Sequence, residues 1–210
     1  MGLQKRDSRT YASIISDGSI RVKTQETNPQ AEKREYTLKD GTTGTKYELV
    51  FDSLSGIITG IQFFEGQFGK QLNVSFKDGD DEITLSMNLA SNFAEDFLKK
   101  LPNIRLDEQV TVAPYSFEDD KKKLRKGVTV YQGGDKLGNY FNDPKTKENT
   151  HGFPNPEKDY KEMDSDDWKA YFIKTRKFLQ AFTEENILPA FQNFEAPSQG
   201  EDVSVEDVKF

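Results

Sequence analysis

Cysteine is absent from this chain and histidine occurs once, at His151. Without thiols there is no disulfide, no cysteine nucleophile and no thiolate metal site, and one imidazole leaves little for zinc or His-based catalysis. Long apolar runs are missing as well. No stretch approaches the roughly 20 residues of a membrane span, and residues 1 to 6 lead into charge rather than into the apolar core of a secretory signal. These absences predict a soluble, unexported protein in a reducing cytoplasm. No Gly-x-Ser-x-Gly elbow, Walker phosphate loop or His-Glu-x-x-His helix occurs, so the chain is read as non-enzymatic, with no cofactor and no metal. Asp78, Asp80, Asp81 and Glu82 resemble a cation cluster, but they lack the central glycine and final glutamate of a calcium loop and read as a polar hairpin tip.

What is present is a β pattern. Glycines punctuate Gly56-Ile57-Ile58-Thr59-Gly60-Ile61-Gln62-Phe63-Phe64 where a long strand must bend, and its other residues are mostly β-branched or aromatic. Leu72, Val74 and Phe76 then alternate with polar neighbours, as do Ile83, Leu85, Met87 and Leu89, so each strand buries one face. Lys77-Asp78-Gly79-Asp80-Asp81 supplies the turn between them. Phe93, Phe97, Leu98 and Leu101 follow helical spacing between a Ser91 cap and Pro102. Two further strands carry Val110 and Val112, then Val128 and Val130.

Three strands, a helix and two strands in that order predict a mainly β fold: a five-stranded oligonucleotide/oligosaccharide-binding (OB) barrel, with a different small barrel as the competing architecture. The expected layout is an N-terminal arm with accessory strands over 1–44, the barrel over 45–141, a connector loop over 142–163, a C-terminal helix over 164–193 and a disordered acidic tail over 194–210. An apolar stripe of Trp168, Tyr171, Phe172, Phe178, Leu179 and Phe182 would dock that helix on the barrel or on another subunit.

Charge is distributed unevenly. Residues 195–210 hold five carboxylates against Lys209 alone, more than half of the formal net charge of −7. The barrel region instead interleaves cations with aromatics, as a single-stranded nucleic acid requires for its phosphates and unstacked bases. Candidate phosphate contacts are Lys70, Lys77, Lys121, Lys122, Lys123, Arg125 and Lys126, and candidate stacking rings are Phe64, Phe68, Tyr115, Tyr131 and Tyr140. Tyr131 leads because Val128 and Val130 claim the inward phase. Phe64 is assigned outward, together with Ile58, against Ile57, Thr59, Ile61 and Phe63.

With its acidic end Glu206-Asp207-Val208-Lys209-Phe210, the chain resembles bacteriophage and bacterial replicative single-stranded DNA-binding proteins, which join an OB barrel to an acidic C-terminus ending in an aromatic residue. Lys209 departs from the uniformly acidic end of that family, and the helix around Trp168 is an elaboration of its phage versions. The resemblance implies sequence-independent coating of single-stranded DNA in replication, recombination or repair. It also implies recruitment of replication or recombination proteins through Glu206, Asp207 and Phe210, possible self-association, and the host cytoplasm as the compartment of a phage protein. The alternative is a protein-interaction adaptor whose barrel binds no nucleic acid.

Overall fold

The computed structural model describes residues 9–38, 40–66 and 69–191. Ten strands follow the chain as β1 (Thr10–Ile14), β2 (Ile20–Lys23), β3 (Glu32–Thr37), β4 (Thr43–Phe51), β5 (Leu54–Gly66), β6 (Gly69–Asp78), β7 (Asp81–Asn88), β8 (Val110–Glu118), β9 (Leu124–Gln132) and β10 (Asp135–Lys136). Helix α1 (Asn92–Lys100) follows β7, and α2 (Ser165–Asn186) and the short α3 (Leu188–Phe191) follow an irregular connector. All ten strands form one open sheet in the order β10-β9-β8-β5-β6-β7-β1-β2-β4-β3, antiparallel except for β1 beside β7.

The closed five-stranded OB barrel expected over 45–141 therefore does not form, although the fold is mainly β. Both edges that closure would join are occupied. The outer edge of β7 is taken by β1, with Tyr11 opposite Thr84 and Ala12 opposite Leu85. The outer edge of β9 is covered by α1, where the Asp96 carboxylate accepts the Val128 N–H at 2.9 Å and the buried Lys100 ammonium donates to the Val128 carbonyl. Asp96 and Lys100 also pair with each other at 2.8 Å. One residue's two ladder groups are thus met by side chains rather than by a neighbouring strand. Gly127 permits this approach, because a Cβ there would collide with the Asp96 carboxylate and the Tyr115 hydroxyl.

Further differences lie along the chain. The segment before residue 54 breaks at Asp52 and Ser53, so β4 pairs with β2 and β3 instead of running on into β5. Within β5, the register against β6 shifts between Ile58 and Gly60. This bulge inserts one residue and reverses the inward phase. Ile58, Ile61 and Phe63 consequently face Phe76, Val74 and Leu72 across the ladder, while Ile57 and Phe64 point to the other side. Ile58, expected outside with Phe64, is fully buried. At Gly56, β5 crosses from β6 to β8, and a Cβ would come within 2.9 Å of the Lys77 carbonyl oxygen.

The core lies on one face of the sheet. Leu72, Val74, Phe76, Leu85, Met87, Val112, Val128 and Val130 pack with Phe93, Phe97 and Leu98 of α1. Each such side chain contributes on the order of 1.5–3 kcal/mol of transfer free energy. Ser91 caps α1 by accepting the Ala94 N–H, and Asp164 caps α2 in a reciprocal box with Asp167. The buried positions of α2 are Thr175, Leu179 and Thr183, flanked by Phe178 and Phe182 against Phe141 of the connector. The expected single stripe divides in two, for Trp168 stacks instead with Tyr160 and Phe172 near the start of the helix.

Candidate nucleic-acid interface

Opposite the core, the sheet presents a face built by strand alternation. On its β8–β9 side, Lys136, Tyr131, Thr111 and Ser55 stand in register across four strands, and the Ser55 and Thr111 hydroxyls meet at 2.7 Å. Toward the hairpin tip the same face carries Thr129 beside Ala113, Tyr115 beside Gly127 and Phe117 beside Arg125. Tyr131 is 41% exposed and Phe117 55%, and the Tyr115 and Phe117 rings lie 5.7 Å apart. Tyr115 is the more enclosed of the three. Burial, reinforced by the Asp96 carboxylate, pushes its phenol pKa upward, so its hydroxyl stays protonated.

The β8–β9 hairpin is closed by Asp119, whose carboxylate accepts the backbone N–H groups of Lys121 and Lys123 and pairs with Arg125 at 2.8 Å. These bonds, the one to Lys123 foremost, hold the Asp119 carboxyl below its ordinary range. The turn displays Lys121, Lys122 and Lys123 to solvent, with no carboxylate paired to any of them among the described residues. Leu124, Arg125 and Lys126 belong to β9 itself rather than to the loop.

Across β5, β6, β7 and β1 the middle of the same face carries uncharged polar groups, with charged residues only toward the Lys77–Glu82 end. Gln62, Asn73, Ser86 and Ser13 form one row, in which the Ser86 hydroxyl donates to Asn73 at 2.8 Å. Phe64, Gln71 and Asn88 form the next, with Phe64 52% exposed. Tyr11, 61% exposed, stands beside Thr84, whose buried hydroxyl has no hydrogen-bond partner among the described residues. Lys77 lies opposite Glu82, which Arg9 approaches at 3.4 Å.

Of the residues singled out in the sequence, Phe64, Lys77, Tyr115, Arg125 and Tyr131 share this outward face, with Lys121, Lys122 and Lys123 at its hairpin tip. Three do not. Lys126 stands opposite Ser116 in the alternate phase, and Lys70 lies on the core side of the sheet, facing α2. Tyr140 is a packing residue, stacked on His151 at 4.0 Å and edge-on to Phe141 at 5.2 Å. Phe68 and the tail residues Glu206, Asp207 and Phe210 lie outside the described residues. Sequence reading passed over Tyr11, Phe117 and Lys136. Phe117 follows Ala113 and Tyr115 at a period of two, a signal that was available, whereas Tyr11 depends on the β1–β7 pairing and Lys136 on a two-residue strand.

Among the described residues no cluster of three or more His, Asp or Glu side chains is arranged to hold a metal, and no helix is long and apolar enough to cross a membrane. The chain matches none of the protein-family models, curated proteins or solved structures with which it was compared.

Proposed function

We propose that this chain binds single-stranded DNA with little sequence preference, as a non-enzymatic coat protein of replication, recombination or repair. The observation that carries the reading is the β8–β9 face, where the exposed rings of Tyr131 and Phe117 stand in register with Lys136 and Arg125, and three lysines without an ion-pair partner among the described residues crown the same hairpin. Rings offer every base a stacking surface worth about 1–3 kcal/mol, and the cations track phosphates whatever the sequence. The Ser, Thr, Asn and Gln rows beside them provide uncharged hydrogen-bond partners, and the Glu82 carboxylate farther along the face stands opposite Lys77 and near Arg9. Duplex DNA keeps its bases stacked internally and leaves such rings unused. In this reading the acidic segment 194–210 is the part that recruits other proteins.

Fluorescence polarisation with labelled oligothymidylate, a mixed-sequence RNA and a duplex, each in rising salt, tests the proposal. Tight, salt-sensitive binding of the single strand over the duplex is the expected outcome. A second reading, an interaction module without nucleic-acid affinity, is favoured by the Tyr160–Trp168–Phe172 stack, whose outer members are exposed. Absence of binding to all three probes at low salt would select it.

A further inference from the structure

On the core side of the sheet, a groove of about 390 Å³ runs between α2 and the adjoining ends of β6 and β7. Leu89 and Ala90 form part of its wall, Ile173 of α2 opens onto it while 49% exposed, and Lys70, Arg176 and Lys177 rim it. None of its lining residues is acidic. Arg176 donates from Nε and Nη1 to the carbonyls of Phe172 and Ala90, which orient the guanidinium, and it pairs with no carboxylate among the described residues. Lys70 and Lys177 have no ion-pair partner among the described residues. An apolar wall under a cationic rim selects an extended segment that alternates carboxylates with apolar side chains.

The chain itself contains such a segment. Glu201-Asp202-Val203-Ser204-Val205-Glu206-Asp207-Val208-Lys209-Phe210 interleaves four carboxylates with three valines and a phenylalanine. Reach is sufficient. Lys177 lies nine residues before the end of α2 at Asn186, about 14 Å along the axis. The ten residues from Phe191 to Glu201 can span about 33 Å. We infer that the α2 groove is the docking site of residues 201–210, held by Lys70, Arg176 and Lys177 around an apolar contact with Ile173. The occupied groove would then lie on the opposite side of the sheet from Tyr131 and Phe64, so the docked segment leaves the outward face open. The inference does not depend on DNA binding.

Because the chain has no cysteine, Ser204→Cys in the full-length protein accepts a single nitroxide label, and paramagnetic broadening of backbone amide signals maps the surface the label visits. The expected result is loss of the Ala90, Ile173 and Lys177 amide signals. They should recover in high salt and in a Lys70→Glu/Lys177→Glu variant, whose exposed charge reversals leave the core signals of Val74 and Val130 in place. Unperturbed signals along α2, or losses at Tyr131 and Phe64 instead, would overturn the inference. So would broadening seen only when labelled chain is mixed with a separate, isotope-enriched copy, since the occupant would then be a second molecule.

Discussion

Replacing Tyr131 by Ala separates a binding ring from a packing ring. Tyr131 keeps 41% of its surface exposed and projects away from the core, while its neighbours Val128 and Val130 are fully buried. Truncation removes a ring that is only partly covered, so the melting temperature should fall clearly less than for a fully buried ring. Affinity for oligothymidylate should fall by about 1–3 kcal/mol if one base stacks there, which is roughly 5- to 150-fold in Kd at 1.4 kcal/mol per decade. Tyr131→Phe keeps the π-face and should bind nearly as well as the parent protein. Phe97→Ala is the contrasting control, since Phe97 is fully buried in α1 against the sheet. Such a core truncation costs about 3–5 kcal/mol, which for a chain of this size lowers Tm by about 6–20 °C. Polarisation titrations and thermal melts of the three variants side by side provide the measurement. A Tyr131→Ala protein that melts like Phe97→Ala but binds like the parent would refute the assignment of this ring.

Changing Lys121, Lys122 and Lys123 together to Gln should weaken single-strand binding and make the log–log salt dependence shallower by about 0.7 for each phosphate no longer neutralised, read from titrations at several salt concentrations. Asp96→Ala should strip Val128 of its N–H partner and leave Lys100 buried without a carboxylate, costing about 3–5 kcal/mol by denaturant titration and speeding hydrogen exchange at Val128. The fork from Arg34 to Glu48, at 2.7 and 2.8 Å, holds the Glu48 carboxyl below its ordinary value, chiefly through the Arg34 hydrogen bonds. A carboxylate depressed in the native state stabilises it fully above the unfolded value of about 4.3, and that contribution is lost as pH falls through the lower native pKa. Glu48→Gln should thus destabilise by about 1–3 kcal/mol at pH 7, with the gap to the parent closing in melts taken progressively below pH 4. A gap independent of pH would rule out the ionic origin.

Strand alternation in 71–77, 83–89 and 128–131 and the helices capped by Ser91 and Asp164 were legible in the sequence, because period and capping are set by residues a few positions apart. The Asp78–Asp81 hairpin was legible for the same reason: Gly79 takes the positive φ that its two-residue turn requires. The outward settings of Tyr131 and Phe64 followed from alternation too, although Phe64 was grouped with the wrong neighbour. Only the tertiary structure decided what competes for the strand edges. Whether β7 pairs with β1, and whether the edge of β9 meets a strand or the side chains of Asp96 and Lys100, depends on groups tens of residues apart whose affinities no local pattern records. The bulge at Thr59 is a smaller instance, since inserting one residue reverses every later side chain of β5 and only the register against β6 reveals it. Lys70 illustrates the consequence for function. Its type and its place beside a turn suggested a phosphate contact, but the face on which it emerges, toward α2 rather than toward Phe64, is fixed by sheet geometry and helix packing.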